Sequence, residues 1–282
     1  MLCELCGKYL FKGNILKLKV GKINFLNIYP IFFTLEKECD PSRFQFIDGT
    51  PAELNRRLRE GTLDISPSSS IEYLRNPDIY TLIDGHSIST TGPIMSILLF
   101  SKHPIEDLDT RLILASEQSE TSTALLKIIL KKFYGFQNRI LTSSSDIKDG
   151  LDSAPAYMLI GDDALTAARS SFITDHPSPV HIYDLGDIWH RNTGLPFVYA
   201  LWIGRKECCS KEAFIEFIDI LDRAKDFAEQ NFQTIAADIP SKIVMVIDDL
   251  IAYWKNLSYG LSEEHKEGLT LFDRYLKEEG LL

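Results

Sequence analysis

Hydroxyl side chains are concentrated at two places where a predicted strand leads into a predicted helix. The first cluster follows the strand LDIS, and the second heads the long amphipathic segment SETSTALLKIILKKFYG. Their members are Ser68, Ser69 and Ser70 in the first cluster, and Ser119, Thr121, Ser122 and Thr123 in the second. Free N–H groups and the helix dipole at such starts favour an anion, by about 0.3–1 kcal/mol each when exposed. Serine and threonine also cap many helices, so plain capping explains either cluster alone, whereas the two together make a shared anion site an equally good interpretation.

Two further polar residues stand in apolar surroundings. Asn27 comes directly after the strand in GKINFLNIYP, before a helix that Pro30 opens. Its amide can donate and accept hydrogen bonds in a polar site, and a turn or helix-cap asparagine is the alternative. Ser96 lies inside the apolar run PIMSILLFSK, where a hydroxyl needs a hydrogen-bond partner or a cleft. A buried serine with a satisfied hydroxyl is the plainer interpretation of Ser96.

Paired carboxylates follow Gly161 in YMLIGDDAL, at Asp162 and Asp163. Such a pair is compatible with metal binding or acid–base chemistry, but aspartate at a helix start, where it meets the dipole, is the simpler explanation. The six histidines form no H-x-x-x-H or H-E-x-x-H pattern, so no zinc site is expected. The chain also lacks G-x-S-x-G, P-loop and G-x-G-x-x-G motifs, which removes the usual support for hydrolase, nucleotide and dinucleotide functions.

The stretch DIWHRNTGLPFVYALW places His190 and Arg191 before a turn at Gly194, Leu195 and Pro196. An apolar, strand-like run follows the turn. The residues alone leave open whether the histidine and the arginine form a catalytic pair or whether the segment serves another purpose.

Alternating strands and helices must position these residues. The predicted strands include ILKLKVGKI, FQFI, LDIS, RLILAS, AYMLIGD and HIYDL, with helical segments between them. The segment TPAELNRRLREG is marked at both ends, because Thr50 and Glu53 form a capping box behind Pro51 and Gly61 is the stop. The alternation predicts an α/β protein with a mainly parallel sheet. After FVYALWIG the chain is predicted to be almost entirely helical.

The strand–helix pattern begins a second time after an apolar strand at 94–101, and another apolar strand lies at 197–203. We infer two lobes with two crossings between them and a ligand cleft at their interface. The first lobe comprises residues 1–101 and 196–282, of which 1–14 are an extension, and the second is an insertion of residues 102–195. One large continuous sheet is the alternative that the residues leave open.

Composition limits the partners of the protein. The chain of 282 residues carries a formal charge of −10, without the basic surplus or stripe of a nucleic-acid-binding protein. No run reaches the ~18 apolar residues of a membrane span, and the start lacks the apolar region of a signal peptide. Five cysteines, including Cys3 and Cys6 in CELC, form no disulfide framework. We therefore expect a cytoplasmic protein without nucleic-acid or membrane partners.

The chain resembles the chorismate dehydratases of the futalosine route to menaquinone in an ordered set of segments. These are GKINFLNIYP, LNRRLREGTLDISPSSSIEYL, MSILLFSK, ASEQSETSTALLKIIL, YMLIGDDAL and YDLGDIWHRNTGLPFVYALW. The resemblance covers roughly residues 15–260. Each piece is short, but the ordered set is specific. It implies an α/β, two-lobed, type II periplasmic-binding-protein-like fold with two interlobe crossings, in a cytoplasmic protein.

The resemblance implies a reaction that converts chorismate, a small dicarboxylate, into 3-(1-carboxyvinyloxy)benzoate and water. Because the ring becomes aromatic, neither a metal nor a cofactor is expected. By the resemblance, Asn27 and Ser96 are the polar residues nearest the reacting ring and carry catalysis. The other expected substrate contacts are the two hydroxyl clusters, Gly161, Asp162, Gly194, Leu195 and Pro196. The enolpyruvyl carboxylate of the substrate is expected to take the ring proton, since the matching motifs hold no placed histidine or glutamate.

The same resemblance answers the question about the histidine and the arginine. It makes NTGLPFV the return crossing and a wall of the cleft, where Gly194 and Pro196 set the backbone path beside the ligand. Trp189 is expected to pack, and His190 is not expected to act in catalysis. The protein is expected to be a monomer or a homodimer.

Two alternatives remain beside the dehydratase. The 1,4-dihydroxy-6-naphthoate synthases of the same pathway share the fold, but they carry a histidine base in the turn where this chain has IGDDAL. A small-anion-binding protein without catalytic activity is compatible with the same fold. Turnover of chorismate distinguishes these possibilities.

Overall fold

A computed structural model describes residues 17–175, 178–239 and 245–282. Its strands are β1 (Leu18–Lys22), β2 (Phe44–Asp48), β3 (Ile65–Ser69), β4 (Tyr80–Thr90), β5 (Ile97–Ser101), β6 (Leu112–Ser116), β7 (Arg139–Ser143), β8 (Ala156–Ile160), β9 (His181–Asp184) and β10 (Phe197–Arg205). Its α-helices are α1 (Tyr29–Glu38), α2 (Pro51–Arg59), α3 (Ser70–Arg75), α4 (Glu120–Ile128), α5 (Ile147–Ser153), α6 (Gly161–Ala168), α7 (Ser171–Thr174), α8 (Leu185–Thr193), α9 (Glu212–Gln230), α10 (Phe232–Ala237), α11 (Ile247–Asn256) and α12 (Glu263–Glu278). Short 3-10 turns lie at Ile105–Asp107 and Lys206–Cys208, and a π-helical turn, Ile129–Phe133, continues α4. The Cys3–Cys6 pair lies outside the described residues.

The strands form two five-stranded sheets with the orders β2-β1-β3-β10-β4 and β7-β6-β8-β5-β9. In the first sheet β1 pairs in parallel with β2 and β3, whereas β10 is antiparallel to β3 and β4. The second sheet repeats this pattern, with β6 parallel to its neighbours and β5 antiparallel to β8 and β9. The prediction of a mainly parallel arrangement is therefore confirmed, with four parallel strands in each sheet, while β10 and β5 run antiparallel to their neighbours. These two strands are inverted because each enters its sheet directly from the other sheet.

Two passages of the chain join the sheets. Residues 91–96 lead from β4 to β5, and residues 194–196 lead from α8 to β10. Because β5 belongs to the second sheet, the boundary predicted after residue 101 is one strand too late. An apolar strand that is buried on both faces looks the same in either sheet, so its composition could not decide its membership. We propose the division into lobes within 91–96 and near 196.

Local sequence explains where several helices begin and end. The capping box predicted for α2 is confirmed, since Glu53 N donates to Thr50 Oγ1 at 3.3 Å and Thr50 N donates to the Glu53 carboxylate at 2.9 Å. The polar stretch before Gly194 folds as α8, which the sequence analysis did not predict. Asp184 caps the start of α8, and Gly194 ends it in the left-handed region at φ 71°.

Helix α12 packs against elements of both sheets. Phe272 and Tyr275 surround the fully buried Trp189 of α8, edge-on to its ring. Lys132, in the π-helical turn that continues α4, forms an ion pair of 2.8 Å with Glu278. The packing role expected for Trp189 is thus confirmed, and its indole helps to hold the C-terminal helix across the two sheets. No helix among the described residues is long and apolar enough to cross a membrane.

Candidate active site

A cavity between the two sheets collects residues from both of them. Its empty volume is about 640 Å³, including the part that is open to solvent. Six isoleucines contribute to the lining, together with seven of the residues that the sequence analysis proposed for the site. Those seven are Asn27, Ser68, Ser69, Ser96, Ser119, Ser122 and Gly161.

Helix N-termini converge on this cavity. The lining includes residues at the starts of α1, α2, α4 and α6, namely Ile28, Pro51, Ser119 and Gly161, and the short helix α3 adds Ser69. Each helix start leaves backbone N–H groups without intrahelical partners and carries a partial positive charge. Among the residues that the structure describes, no Asp, Glu, His, Lys or Arg lines the cavity. The site therefore offers backbone and hydroxyl donors to an anion in a largely apolar, formally neutral enclosure.

Asn27 lies between two anchored backbone groups. Its own carbonyl accepts a hydrogen bond of 2.9 Å from Tyr259 Oη, and the preceding Leu26 carbonyl accepts one of 2.7 Å from the Trp254 indole. The Asn27 side chain has no hydrogen-bond partner in the described part of the chain. A fixed backbone and an unpaired amide in the cavity lining suit a residue that donates to a bound ligand.

Ser96, just before β5, is held by two hydrogen bonds of its own and by a third on the preceding residue. Its carbonyl accepts 2.7 Å from Gly161 N, and its hydroxyl accepts 2.9 Å from Tyr253 Oη. The preceding residue, Met95, adopts φ 67°, a left-handed conformation that is unfavourable for a residue with a Cβ. The Asp184 carboxylate accepts the Met95 N–H at 2.6 Å. Unfavourable backbone kept in place by several contacts is common at functional sites.

Asp184 organises the passage into β5 and the start of α8 at once. Besides Met95, it accepts backbone N–H groups from Ile94, Gly186 and Asp187 at 2.9–3.1 Å. Burial raises the pKa of this carboxyl, and the four backbone donors oppose the increase. One side chain thereby ties the first crossing to the helix that precedes the return crossing.

Asn55 orders the first hydroxyl cluster. Ser68 Oγ donates to Asn55 Oδ1, while Asn55 Nδ2 donates to Ser69 Oγ at 3.1 Å. Because Ser69 accepts from Asn55, its own proton is available to a ligand, whereas the Ser68 proton is already used. Ser70 does not line the cavity, which corrects its predicted role. Its hydroxyl donates 2.6 Å to the Val198 carbonyl, joining α3 to β10.

In the second hydroxyl cluster, too, only some residues line the cavity. Ser119 and Ser122 line the cavity, with their hydroxyl oxygens 2.9 Å apart and Ser122 N donating to Ser119 Oγ at 3.1 Å. Thr121 and Thr123 do not line it, and their contact with substrate stays a prediction. Thr121 Oγ1 accepts 3.2 Å from Ile71 N, and Thr123 Oγ1 donates 3.0 Å to the Ser119 carbonyl. The Thr121 contact brings the starts of α3 and α4, and hence the two clusters, side by side.

Gly161 and Asp162 have different positions relative to the cavity. Gly161 lines it at φ 57°, and a Cβ added there would lie 3.6 Å from the Phe25 ring. Asp162 is outside the lining, and its contact with substrate stays a prediction. Its Oδ1 accepts 3.1 Å from Leu26 N, and burial raises its pKa to about 6. Asp162 thus joins the start of α6 to the loop that carries Asn27.

The turn at Gly194, Leu195 and Pro196 lies outside the lining of this cavity, and its role as a wall of the substrate cleft stays a prediction. Gly194 ends α8, and the Pro196 carbonyl accepts 3.3 Å from the Trp189 indole. Leu195 belongs to a separate surface groove beside α12. His190 lies outside the cavity as well, with Nδ1 3.3 Å from the Leu195 carbonyl. The return crossing reaches the cavity slightly later, at Tyr199 and Ala200.

Sequence reasoning missed four residues of the site and its supports: Phe25, Asn55, Tyr199 and Tyr253. Asn55 carried a usable signal, because it is a polar residue next to Leu54 on the buried face of α2. Tyr199 and Tyr253 stand in apolar segments and gave no such signal. Burial raises the pKa of both tyrosine hydroxyls, so each remains a donor at neutral pH. In the described residues no group of three metal-ligating side chains occurs.

A family model and two known proteins match most of the sequence. A family model described as menaquinone biosynthesis matches residues 18–278. A chorismate dehydratase of Thermus thermophilus is 30% identical over 275 residues, which cover 90% of this chain and 93% of the relative. A chorismate dehydratase of Campylobacter jejuni is 28% identical over 202 residues, or 70% of each chain.

Solved structures share the fold at low sequence identity. The protein AF1704 of Archaeoglobus fulgidus has a TM-score of 0.76 and 19% identity, over 94% of this chain and 98% of its own. The periplasmic aliphatic sulphonate binding protein of Escherichia coli has a TM-score of 0.64 and 13% identity, over 94% and 88%. Two mixed sheets joined by two crossings are thus the α/β architecture of periplasmic binding proteins, as the resemblance implied.

Proposed function

Because the chain belongs to the menaquinone biosynthesis family, we propose that it is a chorismate dehydratase, a hydro-lyase of that pathway. The substrate is chorismate, which carries one carboxylate on its ring and one on its enolpyruvyl side chain. The reaction removes the ring hydroxyl and the hydrogen of the neighbouring ether carbon. These leave as water, and 3-(1-carboxyvinyloxy)benzoate remains. Aromatisation of the ring supplies the driving force.

The observation that carries this proposal is the convergence of helix starts and free hydroxyls on one neutral cavity. Two carboxylates require several donors. The cavity offers the Ser69 hydroxyl, one hydroxyl proton of the Ser119–Ser122 pair, and the positive ends of α1, α2, α4 and α6. The isoleucines of the lining suit the apolar faces of a six-membered ring. Donors that are fixed before the substrate binds need no reorganisation as charge develops.

Asn27 and Ser96 are the polar groups that we assign to the reacting ring. Both line the cavity, and neither uses its side-chain proton on a neighbour in the described structure. We assign the Asn27 amide to the charge that grows on the ring carboxylate as the ring proton leaves. We assign the Ser96 hydroxyl to the oxygen of the departing hydroxyl group. Losing one preorganised donor of this kind lowers turnover by about 10²–10³.

The proton acceptor is proposed to be the enolpyruvyl carboxylate of the substrate. Its support is the composition of the lining, whose described residues include no carboxylate, imidazole or amine. Asp162 and Glu120 directly follow lining residues in the sequence, but the Asp162 Oδ1 is already bound to Leu26 N and the Glu120 carboxylate is paired with Arg75. The enolpyruvyl carboxylate and the ring proton belong to the same molecule, so the carboxylate can reach the proton when the helix starts hold it in place.

The two alternative functions fit the cavity less well. The naphthoate synthases are expected to carry a histidine base at the turn after β8, where this chain has Gly161 and Asp162. No histidine lines the cavity among the described residues. A protein that only binds small anions would not require the left-handed Met95 or the several contacts that hold Ser96.

Incubation of the purified protein with chorismate tests the proposal. The ultraviolet spectrum should change as the aromatic product forms, and mass spectrometry should show the loss of one water. Asn27→Ala protein, prepared in parallel, controls for a contaminating activity. Unchanged chorismate after prolonged incubation with folded protein contradicts the assignment, whereas binding without turnover identifies an anion-binding protein.

We further propose that the protein acts in the cytoplasm without nucleic-acid or membrane partners, as a monomer or a homodimer. The net charge of −10 supports the absence of nucleic-acid and membrane partners, because nucleic acids and anionic lipids are themselves negative. Size-exclusion chromatography with light scattering measures the oligomeric state directly. A larger assembly would contradict this part of the proposal.

A further inference from the structure

We infer that Tyr253 is a positioning residue for the dehydration, acting on the substrate through Ser96. This inference rests on the proposed function. Tyr253 lies in α11, far along the chain from the cavity residues, and its side chain is fully buried. Its hydroxyl is 2.9 Å from Ser96 Oγ, across 157 positions of sequence. Through this one hydrogen bond the C-terminal helices reach the reacting group.

The first step concerns why a tyrosine stands at this position. A buried hydroxyl without a partner destabilises the fold, so an apolar ring would suit a purely packing role better. In the described structure Ser96 Oγ is the partner that the Tyr253 hydroxyl has. The hydroxyl therefore serves Ser96, its hydrogen-bond partner among the described residues.

The second step concerns the direction of the protons. When Tyr253 donates to Ser96 Oγ, its proton lies between the two hydroxyl oxygens. The Ser96 proton must therefore point away from Tyr253. Ser96 Oγ has no other acceptor among the described residues, and the cavity is the open space that Ser96 lines. The bond from Tyr253 thus presents the Ser96 O–H to the substrate as a donor. It also polarises that O–H, since hydrogen bonds in a chain strengthen one another.

The third step concerns the bond that breaks. As the carbon–oxygen bond of the substrate lengthens, negative charge grows on the departing hydroxyl oxygen. A hydrogen bond from Ser96 stabilises this charge, and the hydroxyl leaves as water with the proton lost from the ring. Ser96 and Tyr253 keep their own protons throughout, so the elimination remains balanced within the substrate.

Substitution of Tyr253 by phenylalanine removes one oxygen atom and keeps the ring. We expect kcat for chorismate to fall by about 10-fold or more while KM changes by less than about 2-fold, because ground-state binding depends on other donors. Tyr157→Phe is the matched control. Tyr157 is equally buried and donates 2.8 Å to the Ser145 carbonyl, away from the cavity. Its kcat should stay within about 2-fold of wild type at matched folded fraction.

A double-variant cycle separates positioning from general destabilisation. If Tyr253 acts through Ser96, the Ser96→Ala/Tyr253→Phe protein should have the same kcat as Ser96→Ala alone. Losses that multiply would overturn the inference. Should Tyr253→Phe fail to fold, 3-fluorotyrosine at position 253 keeps the hydroxyl and makes it a stronger donor. In that protein kcat should rise measurably, and an unchanged kcat overturns the inference.

The outcomes also distinguish this inference from the proposed function. A folded wild-type protein that does not convert chorismate overturns both of them. Wild-type turnover combined with normal kcat in Tyr253→Phe overturns the role of Tyr253 alone. A larger KM with normal kcat in Tyr253→Phe would assign the tyrosine to binding and would likewise overturn the positioning role.

Discussion

The backbone amide of Leu26 donates a hydrogen bond of 3.1 Å to the Asp162 carboxylate, across 136 positions of the chain. This bond joins the loop after β1 in the first sheet to the first turn of α6 in the second. Because the Leu26 carbonyl is bound by the Trp254 indole, the residue before Asn27 is held on both of its polar groups. The position of Asn27 therefore depends on contacts from both sheets.

Asp162→Asn should reveal a pH-dependent difference in stability. Burial raises the pKa of this carboxyl from 3.8 to about 6, so the folded protein binds the proton more tightly than the unfolded chain. Its stabilising contribution is then complete below about pH 4 and is lost as the pH rises through about 6. Asparagine does not titrate and can still accept from Leu26. Relative to Asp162→Asn, wild type should lose on the order of 2 kcal/mol of unfolding free energy between pH 4 and 7.

Urea denaturation of both proteins at about pH 4.5, 5.5 and 7.5 provides the measurement, since other titrating groups cancel in the difference. A difference that stays constant over this range would show that Asp162 has an ordinary pKa in the fold. A difference of the opposite sign would show that the Leu26 N–H and other donors outweigh burial.

Asn27→Ala and Ser96→Ala should each lower kcat by about 10²–10³. Stability should be nearly unchanged in Asn27→Ala and reduced by about 1–3 kcal/mol in Ser96→Ala, because the buried Tyr253 hydroxyl loses its acceptor. Asn27 has an unpaired amide in the cavity, and Ser96 has a proton that no described neighbour accepts. His190→Ala is the control, because His190 lies outside the cavity on α8. Steady-state kinetics with chorismate, at matched folded fraction, gives the comparison. Near-normal turnover of the first two variants, with collapse in His190→Ala, would move the active site to α8.

Ser69→Ala should weaken product binding by about 10- to 100-fold, the scale of one hydrogen bond to a charged group. The Ser69 proton is available to a ligand because its oxygen accepts from Asn55. Thr123→Ala is the control, since the Thr123 hydroxyl is used by the Ser119 carbonyl at 3.0 Å. Isothermal titration with 3-(1-carboxyvinyloxy)benzoate measures both affinities. Equal affinities in the two variants would mean that Ser69 is a structural serine.

Gly194→Ala should reduce the unfolding free energy by about 1 kcal/mol, because alanine is strained in the left-handed conformation that ends α8. A Cβ at this position meets no heavy atom within 4 Å, so no steric effect adds to the strain. The ratio kcat/KM should stay unchanged, since the residue does not line the cavity. Denaturant melts and kinetics on the same preparation test both expectations. A loss of kcat/KM at full folding would restore the turn to the wall of the site.

Local rules predicted the starts of elements well. Thr50, Pro51 and Glu53 marked α2 correctly because capping depends on residues within one turn. The strands β4 and β7 were not predicted. Gly85 and polar residues interrupt the hydrophobic pattern of β4, and β7 is an edge strand with few buried side chains. The order of the strands within the sheets was not predicted, because periodicity says nothing about which strands pair.

Sequence patterns predicted only part of the site, because they do not show which way a side chain points. The hydroxyl clusters marked the right helix starts, but the pattern could not tell which hydroxyls face the ligand. Ser70 and Ser69 are neighbours with opposite assignments, since Ser70 bonds the Val198 carbonyl and Ser69 opens toward the cavity. Such orientation depends on partners more than 100 positions away. At Gly194, glycine and proline indicated a turn without indicating which side of the fold it faces.

The use of helix starts in place of lysine or arginine affects how substrate arrives. The partial charge at a helix end acts within about one turn, whereas the net charge of −10 acts over a Debye length of about 8 Å in physiological salt. A dianion approaching from solvent therefore meets repulsion first and attraction only after it has entered the cavity. Association is unsteered and should become faster as ionic strength rises, the reverse of the behaviour of sites that draw in anions with a basic funnel.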